Sequence, residues 1–167
     1  MLKTKWYREL DSTPLREYTS VELFAGAGGL ALGLEKAGFK HILLNEYDHN
    51  ACETLRTNRP QWNVVESDIH DLDFRSYTGE VDFLSGGFPC QAFSYAAHGK
   101  NIEAKNLWPD MFRFVKESQA PIVFGENVTI NAIEIAKADL ESLGYIVERC
   151  RVACMDLGAD HKRPRFW

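Results

Sequence analysis

The chain has 167 residues, of which 45% are hydrophobic and 26% charged, a length and composition typical of one globular domain with its own core. No apolar run reaches the roughly 20 residues that a membrane helix needs, and the charged N-terminus lacks the apolar segment of a secretion signal. A formal net charge of −5 argues against a large nucleic-acid footprint on this chain alone.

The predicted elements alternate between strands and helices after a polar N-terminal arm over residues 1–19. In chain order they are a strand at 21–24, a helix at 30–39 that closes on Gly38, a strand at 41–46, a helix at 50–58, a weak strand near 64–65, a strand at 81–87, a helix at 108–118, a strand at 121–126, a helix at 131–143 that closes on Gly144, a strand at 145–155 and the start of a strand at 165–167.

This alternation predicts βαβ units and an α/β domain over residues 20–167, with a mostly parallel sheet. No internal repeat or linker interrupts it. The sequence stops inside its last predicted strand, so we expect a domain that is incomplete at the C-terminus.

Four cysteines, at positions 52, 90, 150 and 154, form no C-x-x-C pair, and no His or Cys cluster has the spacing of a zinc site. We therefore predict no metal ion. Without a secretion signal, we expect reduced thiols in a bacterial cytosol.

A glycine-rich turn, LFAGAGGL, follows the first strand and opens the first helix. Gly26, Gly28 and Gly29 permit a tight turn and a close approach by a ligand. The second strand ends in NEYD, where Glu46 stands at the offset of an acid that accepts hydrogen bonds from ribose hydroxyls.

Two further side chains suit an adenosine pocket at this edge. Tyr47 can pack against an adenine, and Asp68 can accept a hydrogen bond from the adenine amino group, although a plain turn residue is the simpler interpretation of Asp68 alone. A P-loop is excluded because no G-K-[ST] follows the glycines. An NAD-like cofactor and S-adenosylmethionine both remain open.

Cys90, in GGFPCQAFS, follows the fourth strand and the turn-fixing Pro89. A cysteine is more often an inert buried residue than a nucleophile. The carboxyl ends of parallel strands meet at one edge, however, so this thiol is predicted to share the cleft of the adenosine pocket.

Two more polar groups are predicted at the same edge. Glu126, in GENV, leaves an apolar strand, so its carboxyl is expected to have a raised pKa. Arg163 and Arg165, in HKRPR, point to one side of an extended segment.

The motifs ELFAGAGGLALGLEKAGF, NEYD, SDI, GGFPCQAFS, FGENV and HKRPRF occur in the order found in DNA (cytosine-5-)-methyltransferases, which the chain resembles over residues 20–167. The resemblance implies a Rossmann-like S-adenosylmethionine-dependent methyltransferase fold with helices on both faces of the sheet.

The resemblance also implies residue roles. Cys90 matches the family's nucleophile, Glu126 the carboxyl that engages cytosine N3 and the exocyclic amine, and Arg165, with its partner Arg163, the arginine that steadies cytosine O2. His161 departs from the family pattern, which usually has glutamine there. The positions that match the lining of the S-adenosylmethionine pocket are Phe24, Gly26, Ala27, Gly29, Glu46, Tyr47, Asp68, Ile69, Pro89 and Leu107.

The implied activity is methyl transfer from S-adenosylmethionine to C5 of cytosine in double-stranded DNA, through a Cys–C6 adduct on a flipped base. The resemblance stops before the family's DNA-recognition domain and C-terminal motifs, which we therefore do not expect within these residues. A subunit of a split enzyme completed by a second polypeptide, a truncated piece, and a non-catalytic adenosine-binding remnant or scaffold therefore all remain open. A flavin or NAD oxidoreductase finds little support, since no resolving cysteine is near Cys90. The target sequence and the choice between a restriction-modification and a solitary role are not predicted.

Overall fold

A computed structural model describes residues 17–89 and 106–167. Its elements are β1 (Tyr18–Leu23), α1 (Gly29–Lys36), β2 (Phe39–Glu46), α2 (His49–Asn58), β3 (Val64–Glu66), β4 (Phe83–Gly86), α3 (Trp108–Ser118), β5 (Ile122–Gly125), α4 (Ile130–Ser142), β6 (Arg151–Ala153) and β7 (Pro164–Phe166). Short 3₁₀ turns cover Ile69–Asp71, Arg75–Tyr77 and Cys154–Leu157.

The first five strands form one parallel sheet in the order β3-β2-β1-β4-β5. The chain runs outward from β1 to β3 and then returns to β4 on the other side of β1. Such a reversal opens a crevice at the carboxyl ends of the strands flanking it, which is where open α/β sheets bind ligands.

Helices cover both faces of this sheet, as predicted. Neighbouring residues of β2 point to opposite faces. Leu43 joins a large core with residues of α3 and α4, and Leu44 joins a smaller core with Ala31 of α1 and Leu55 of α2.

Local signals in the sequence account for several element ends. Gly38 and Gly144 adopt positive φ angles of 92° and 88° just after α1 and α4. These two glycines end their helices, as predicted. The Asp48 side chain caps α2 by accepting a hydrogen bond from the Ala51 N–H at 2.8 Å.

The strand predicted over residues 145–155 is wrong for most of its length. Only Arg151–Ala153 forms a strand, and Cys154–Leu157 turns into a 3₁₀ helix. Residues 145–148 keep alternating exposure, and Ile146 is 97% exposed, but this stretch joins neither sheet. Periodicity shows that a segment is extended, whereas a strand also requires a partner for its backbone groups.

The strand predicted at 165–167 is present as β7, which pairs antiparallel with β6 in a separate two-stranded sheet. One antiparallel bridge between Asn127 and Phe166 joins β7 to the end of β5. Arg165 lies in β7 and is thereby held beside the large sheet. Arg163 precedes the strand with a positive φ of 34°, so the prediction of one extended segment is wrong at Arg163.

The first strand begins at Tyr18, so residues 18 and 19 of the predicted arm lie in the sheet, while residues 1–16 fall outside the described part. Within residues 17–89 and 106–167, no helix is long and apolar enough to cross a membrane.

Candidate active site

The glycine turn between β1 and α1 is strained and tied to the end of β2. Phe24, Gly26 and Gly28 all have positive φ angles, of 58°, 54° and 83°. The Gly26 N–H donates to Glu46 Oε2 at 2.6 Å, and the Ala25 N–H donates to the Asn45 carbonyl at 3.0 Å. These bonds fix the turn beside the carboxyl end of β2.

Two of these glycines serve different purposes. A Cβ on Gly26 would meet no atom within 4 Å, so space beside it is open to a ligand. A Cβ on Gly28 would lie 2.6 Å from Leu55 Cδ2, so this glycine allows the turn to pack on α2. Sequence reasoning did not separate the two roles.

A cavity of about 450 Å³ lies at the carboxyl ends of β1, β2 and β4. Seven of the ten predicted cofactor residues line it: Phe24, Glu46, Tyr47, Asp68, Ile69, Pro89 and Leu107. Asn45, Ser67, His70 and Gly87 also line it and were not predicted.

The Glu46 carboxylate is held by the backbone at the entrance to this cavity. Besides the Gly26 N–H, it accepts the N–H groups of Tyr47 and Asp48, each at 2.8 Å from Oε1. A carboxylate offers about four acceptor positions, so one position remains for a ligand hydroxyl.

A second cavity of about 470 Å³ adjoins the first, because Phe24 and Gly87 line both. It brings together predicted residues from distant parts of the chain: Gly26, Gly29, Glu126, Arg163 and Arg165. Ala27 is exposed in the turn and is not among the residues that line either cavity.

Glu126 and Arg165 form a contact in this second cavity. Arg165 Nε lies 2.7 Å from Glu126 Oε1, and both side chains are largely shielded from solvent. Burial raises the pKa of Glu126 above its usual value, and the positive charges of Arg165 and Arg163 partly oppose that shift. The direction agrees with the raised pKa that the apolar strand predicted.

Glu126 is held from both sides. Its N–H donates to the Gly86 carbonyl at 2.9 Å, and a Cβ on Gly87 would lie 3.0 Å from Glu126 Oε2. Gly87 therefore leaves the room that this carboxyl occupies.

Asn127 is an organising residue that the sequence reasoning missed. Its side chain is buried, donates to the Phe88 carbonyl at 2.9 Å, and accepts the Thr129 N–H at 3.0 Å. Its backbone exchanges two hydrogen bonds of 2.9 Å with Phe166. The one residue links the end of β5 to the segment before Cys90 and to β7.

Cys90 itself lies outside the described residues, so its predicted role stays a prediction. Its neighbour Pro89 borders the 450 Å³ cavity, and the Pro89 carbonyl accepts the Leu107 N–H at 3.2 Å.

Glu22 is the least expected residue of the site. It lies in β1, is only 2% exposed, and lines the 470 Å³ cavity, yet its Oε2 has no hydrogen-bond partner. Burial raises its pKa to about 8. A charged residue between two fully buried apolar ones, Val21 and Leu23, was the signal in the sequence.

A larger cavity of about 670 Å³ lies elsewhere, at the C-terminal ends of α3 and α4. None of the predicted site residues lines it. Over the described ranges, no group of three His, Cys, Asp or Glu side chains is arranged to hold a metal ion.

The family described as C-5 cytosine-specific DNA methylase matches residues 18–167. The chain belongs to this family. The match covers every described element, and the two cavities bring together residues from the motifs that carry the resemblance.

Curated members of the DNA methylase family are similar to the chain over nearly its whole length. It is 49% identical to the Type II methyltransferase M.PspPI of Psychrobacter sp. (strain TA137), over 99% of the chain and 42% of that protein. It is 46% identical to M.Eco47II of Escherichia coli, over 91% of the chain and 38% of that protein. The chain therefore spans less than half the length of these relatives.

Solved structures show the same fold. A putative DNA modification methyltransferase encoded within an E. coli prophage matches with a TM-score of 0.72 and 28% identity, over 90% of this chain and 45% of that one. A mutant of Spodoptera frugiperda DNMT2 matches with a TM-score of 0.74 at 18% identity, over 90% of this chain and 48% of that one. The Rossmann-like methyltransferase fold predicted from the motifs is confirmed.

Proposed function

We propose that the chain carries the catalytic half of an enzyme that transfers a methyl group from S-adenosylmethionine to C5 of cytosine in DNA. The observation that carries this proposal is the contact of Glu126 with Arg165 in a cavity that adjoins the adenosine-sized one. A carboxyl and a guanidinium at that place suit a cytosine ring, which presents N3 and O2 side by side.

The residues present fit S-adenosylmethionine. The open space beside Gly26 and the remaining acceptor position of Glu46 suit a ribose, and the first cavity suits an adenine. The unpaired Oε2 of Glu22 requires a donor from a ligand, and a cationic ammonium group supplies one. When bound, S-adenosylmethionine provides an electrophilic methyl group on a sulfonium.

The nucleophile in this proposal is the Cys90 thiolate. Its sulfur forms a bond to cytosine C6, and the C5–C6 π electrons move to C5, which becomes nucleophilic. C5 then accepts the methyl group, whose bond to the sulfonium sulfur breaks, so that S-adenosylhomocysteine is the product. Loss of the C5 proton then lets the C6–S bond break, restoring the aromatic ring and the thiolate. The C6 atom is out of reach in stacked duplex DNA, so the base must flip out.

The remaining residues stabilise the charge that the addition creates. Burial keeps a proton on Glu126 more readily than on an exposed glutamate, so its carboxyl can donate to N3 as negative charge develops on the ring. Arg165 is a permanent cation and can donate to O2. Arg163 is exposed and adds positive charge at the mouth of the same cavity.

DNA binding in this proposal relies on residues beyond those of this chain. Its net charge is −5, whereas proteins that grip duplex DNA neutralise phosphates with Lys and Arg. The missing basic surface is supplied by a further segment of the same protein or by a second polypeptide. Because the relatives above are named Type II methyltransferases, we assign the protein to a restriction-modification system.

Covalent trapping on duplex DNA that carries 5-fluorocytosine tests the mechanism. The fluorine cannot leave as a proton does, so a protein–DNA adduct accumulates and survives a denaturing gel. The chain is assayed with S-adenosylmethionine, alone and with the product of the neighbouring open reading frame. We expect an adduct when the completing polypeptide is present and loss of it in Cys90→Ala.

The matched control is Cys150→Ala, which removes an exposed free thiol outside both cavities and should leave trapping intact. Trapping by Cys90→Ala would contradict the assignment of the nucleophile. Cofactor binding without any adduct would favour the non-catalytic scaffold instead.

A further inference from the structure

The turn that follows β3 contains a histidine between two carboxylates. His70 Nδ1 lies 2.6 Å from Asp68 Oδ1, and the His70 N–H donates to the same oxygen at 3.0 Å. On the other side of the ring, His70 Nε2 lies 3.5 Å from Asp110 Oδ2, at the start of α3. Both His70 and Asp68 line the 450 Å³ cavity.

The same turn is fastened to α3 by Arg113. Its guanidinium donates to the carbonyls of Ile69 and Leu72 at 2.9 and 3.0 Å and lies 3.8 Å from Asp110 Oδ1. The charged groups that face His70 are therefore Asp68 on its own turn, and Asp110 and Arg113 on α3.

We propose that His70 is a positioning residue for cofactor recognition: in its protonated form it bridges Asp68 and Asp110 and fixes the Asp68 carboxylate toward an adenine amino group. This inference rests on the proposed function, since it assumes an adenosine in the 450 Å³ cavity. Both hydrogen bonds from His70 go to Oδ1, which leaves Oδ2 of Asp68 to accept from the ligand.

The protonation state decides whether the bridge holds on both sides. Protonated imidazole donates from both ring nitrogens. Neutral imidazole can keep the bond to Asp68 through Nδ1–H, but Nε2 then presents a lone pair to the Asp110 carboxylate, which is repulsive. The bridge is therefore complete only while His70 is charged.

The sign of the pH dependence follows from the two partners. The hydrogen bond to Asp68 and the charge of Asp110 raise the pKa of His70, and the bonds from His70 lower the pKa of Asp68. The bridge thus forms between these two pKa values, above that of Asp68 and below that of His70. Affinity for adenosine should fall as pH rises through the pKa of His70.

Binding of 5′-methylthioadenosine to the whole chain, measured by calorimetry between about pH 5.5 and about pH 8.5, tests this. The probe has no group that titrates in that range. For an exposed ion pair we expect the affinity to fall by up to about fivefold across it. His70→Asn keeps a neutral donor and should show the lower affinity at every pH, with a flat profile.

Asp110→Asn gives a second signature, because it removes the charge facing Nε2 without touching the cavity lining. The midpoint of the affinity profile, and of the His70 ring protons followed by NMR, should move to lower pH. His49→Asn is the matched control: His49 is also exposed and paired with a carboxylate, that of Glu66 at 2.8 Å, but lies outside the cavity. It should leave the profile unchanged.

The role of His70 is overturned if the affinity of the wild-type chain does not change with pH, or if the affinity of His70→Asn falls with pH as that of the wild type does. Either result leaves the proposed cofactor intact. Absence of binding at every pH overturns the cofactor assignment and this inference together.

Discussion

At the scale of single residues, the site combines side chains with very different electrostatic surroundings. Glu46 receives three backbone N–H groups and Glu126 faces a guanidinium, whereas Glu22 has one oxygen with no partner at all. A carboxyl buried without a partner favours its neutral form. The burial of Glu22 beside the cavity therefore lowers the stability of the ligand-free fold at neutral pH.

This arrangement predicts that Glu22→Gln stabilises the ligand-free protein. The pKa of Glu22 is about 8 in the folded chain, against an ordinary value of 4.5 for an exposed glutamate. Its contribution to stability is fully present below pH 4.5 and is lost as pH rises toward 8. Removing the ionisable group should raise the free energy of unfolding at pH 7.5 by on the order of 3 kcal/mol, with little change at pH 4.5.

Urea unfolding at the two pH values measures this difference. Glu80→Gln, which alters an exposed glutamate outside both cavities, should leave stability unchanged at each pH. If Glu22→Gln lowered the free energy of unfolding equally at both pH values, Glu22 would be paired in solution. It could then not serve as an acceptor for a donor group of the ligand.

At the scale of elements, the hydrophobic pattern predicted most of the fold because each helix and strand buries one or both faces. The predicted bounds of α2 and α3 lie within one residue of the observed ones. The 145–150 segment was missed because a single sequence reports an extended pattern but not whether a neighbouring strand is there to pair with it.

The site was predictable where residues follow strand ends, and less so where side chains act through contacts. Glu46 is the last residue of β2, and Asp68 and Glu126 follow β3 and β5 within two residues, so topology alone brings them together. Asn127 and Gly28 act through atoms distant in sequence, the Phe88 carbonyl and Leu55, which only the folded chain reveals.

The junction of the glycine turn with α2 gives a prediction at this scale. In Gly28→Ala, a left-handed backbone with φ of 83° and a Cβ 2.6 Å from Leu55 Cδ2 both oppose the folded state. We expect a loss of about 1 kcal/mol from the backbone and about 1–3 kcal/mol more from overpacking.

Gly38→Ala provides the matched comparison. Gly38 has a φ of 92° but nothing within 4 Å of a built Cβ, so only the backbone cost of about 1 kcal/mol should appear. Chemical unfolding of both variants separates the backbone cost from the cost of overpacking against Leu55. Equal losses would show that the contact with α2 contributes nothing.

At the scale of the whole molecule, the two cavities share one edge of the sheet, and β7 joins the end of β5 at this edge to β6. Asn127 and Phe166 exchange both backbone hydrogen bonds, and Trp167 exchanges two with Cys150 on the other side. Trp167 also stacks on Phe124 of β5, with ring centroids 4.8 Å apart. The end of β7 therefore lies between β5 and residues 147–150. Residues of β5, residues 147–150 and Trp167 all line a cavity of about 180 Å³ there.

Alternation along β5 gives the last prediction. The Glu126 N–H points to β4 and that of Asn127 points to β7, so the backbone groups of Val123 and Gly125 face the same side as Asn127. A strand that continued β7 would run antiparallel along these groups and enter the 180 Å³ cavity. Extending Trp167 by about eight residues of alternating Thr and Val, which favour extended backbone, should supply such a strand.

The extension should slow hydrogen exchange at the amides of Val123 and Gly125 and raise the thermal unfolding midpoint, by about 3 °C for each kcal/mol gained. A Gly/Ser extension of equal length has the same bulk but a poor strand propensity, and should do neither. Equal protection by both extensions would mean that β5 does not accept a specific strand. Protection by the Thr/Val extension alone would show that the edge beside Glu126 accepts a strand that continues β7, because the bridge at Asn127 already sets the register.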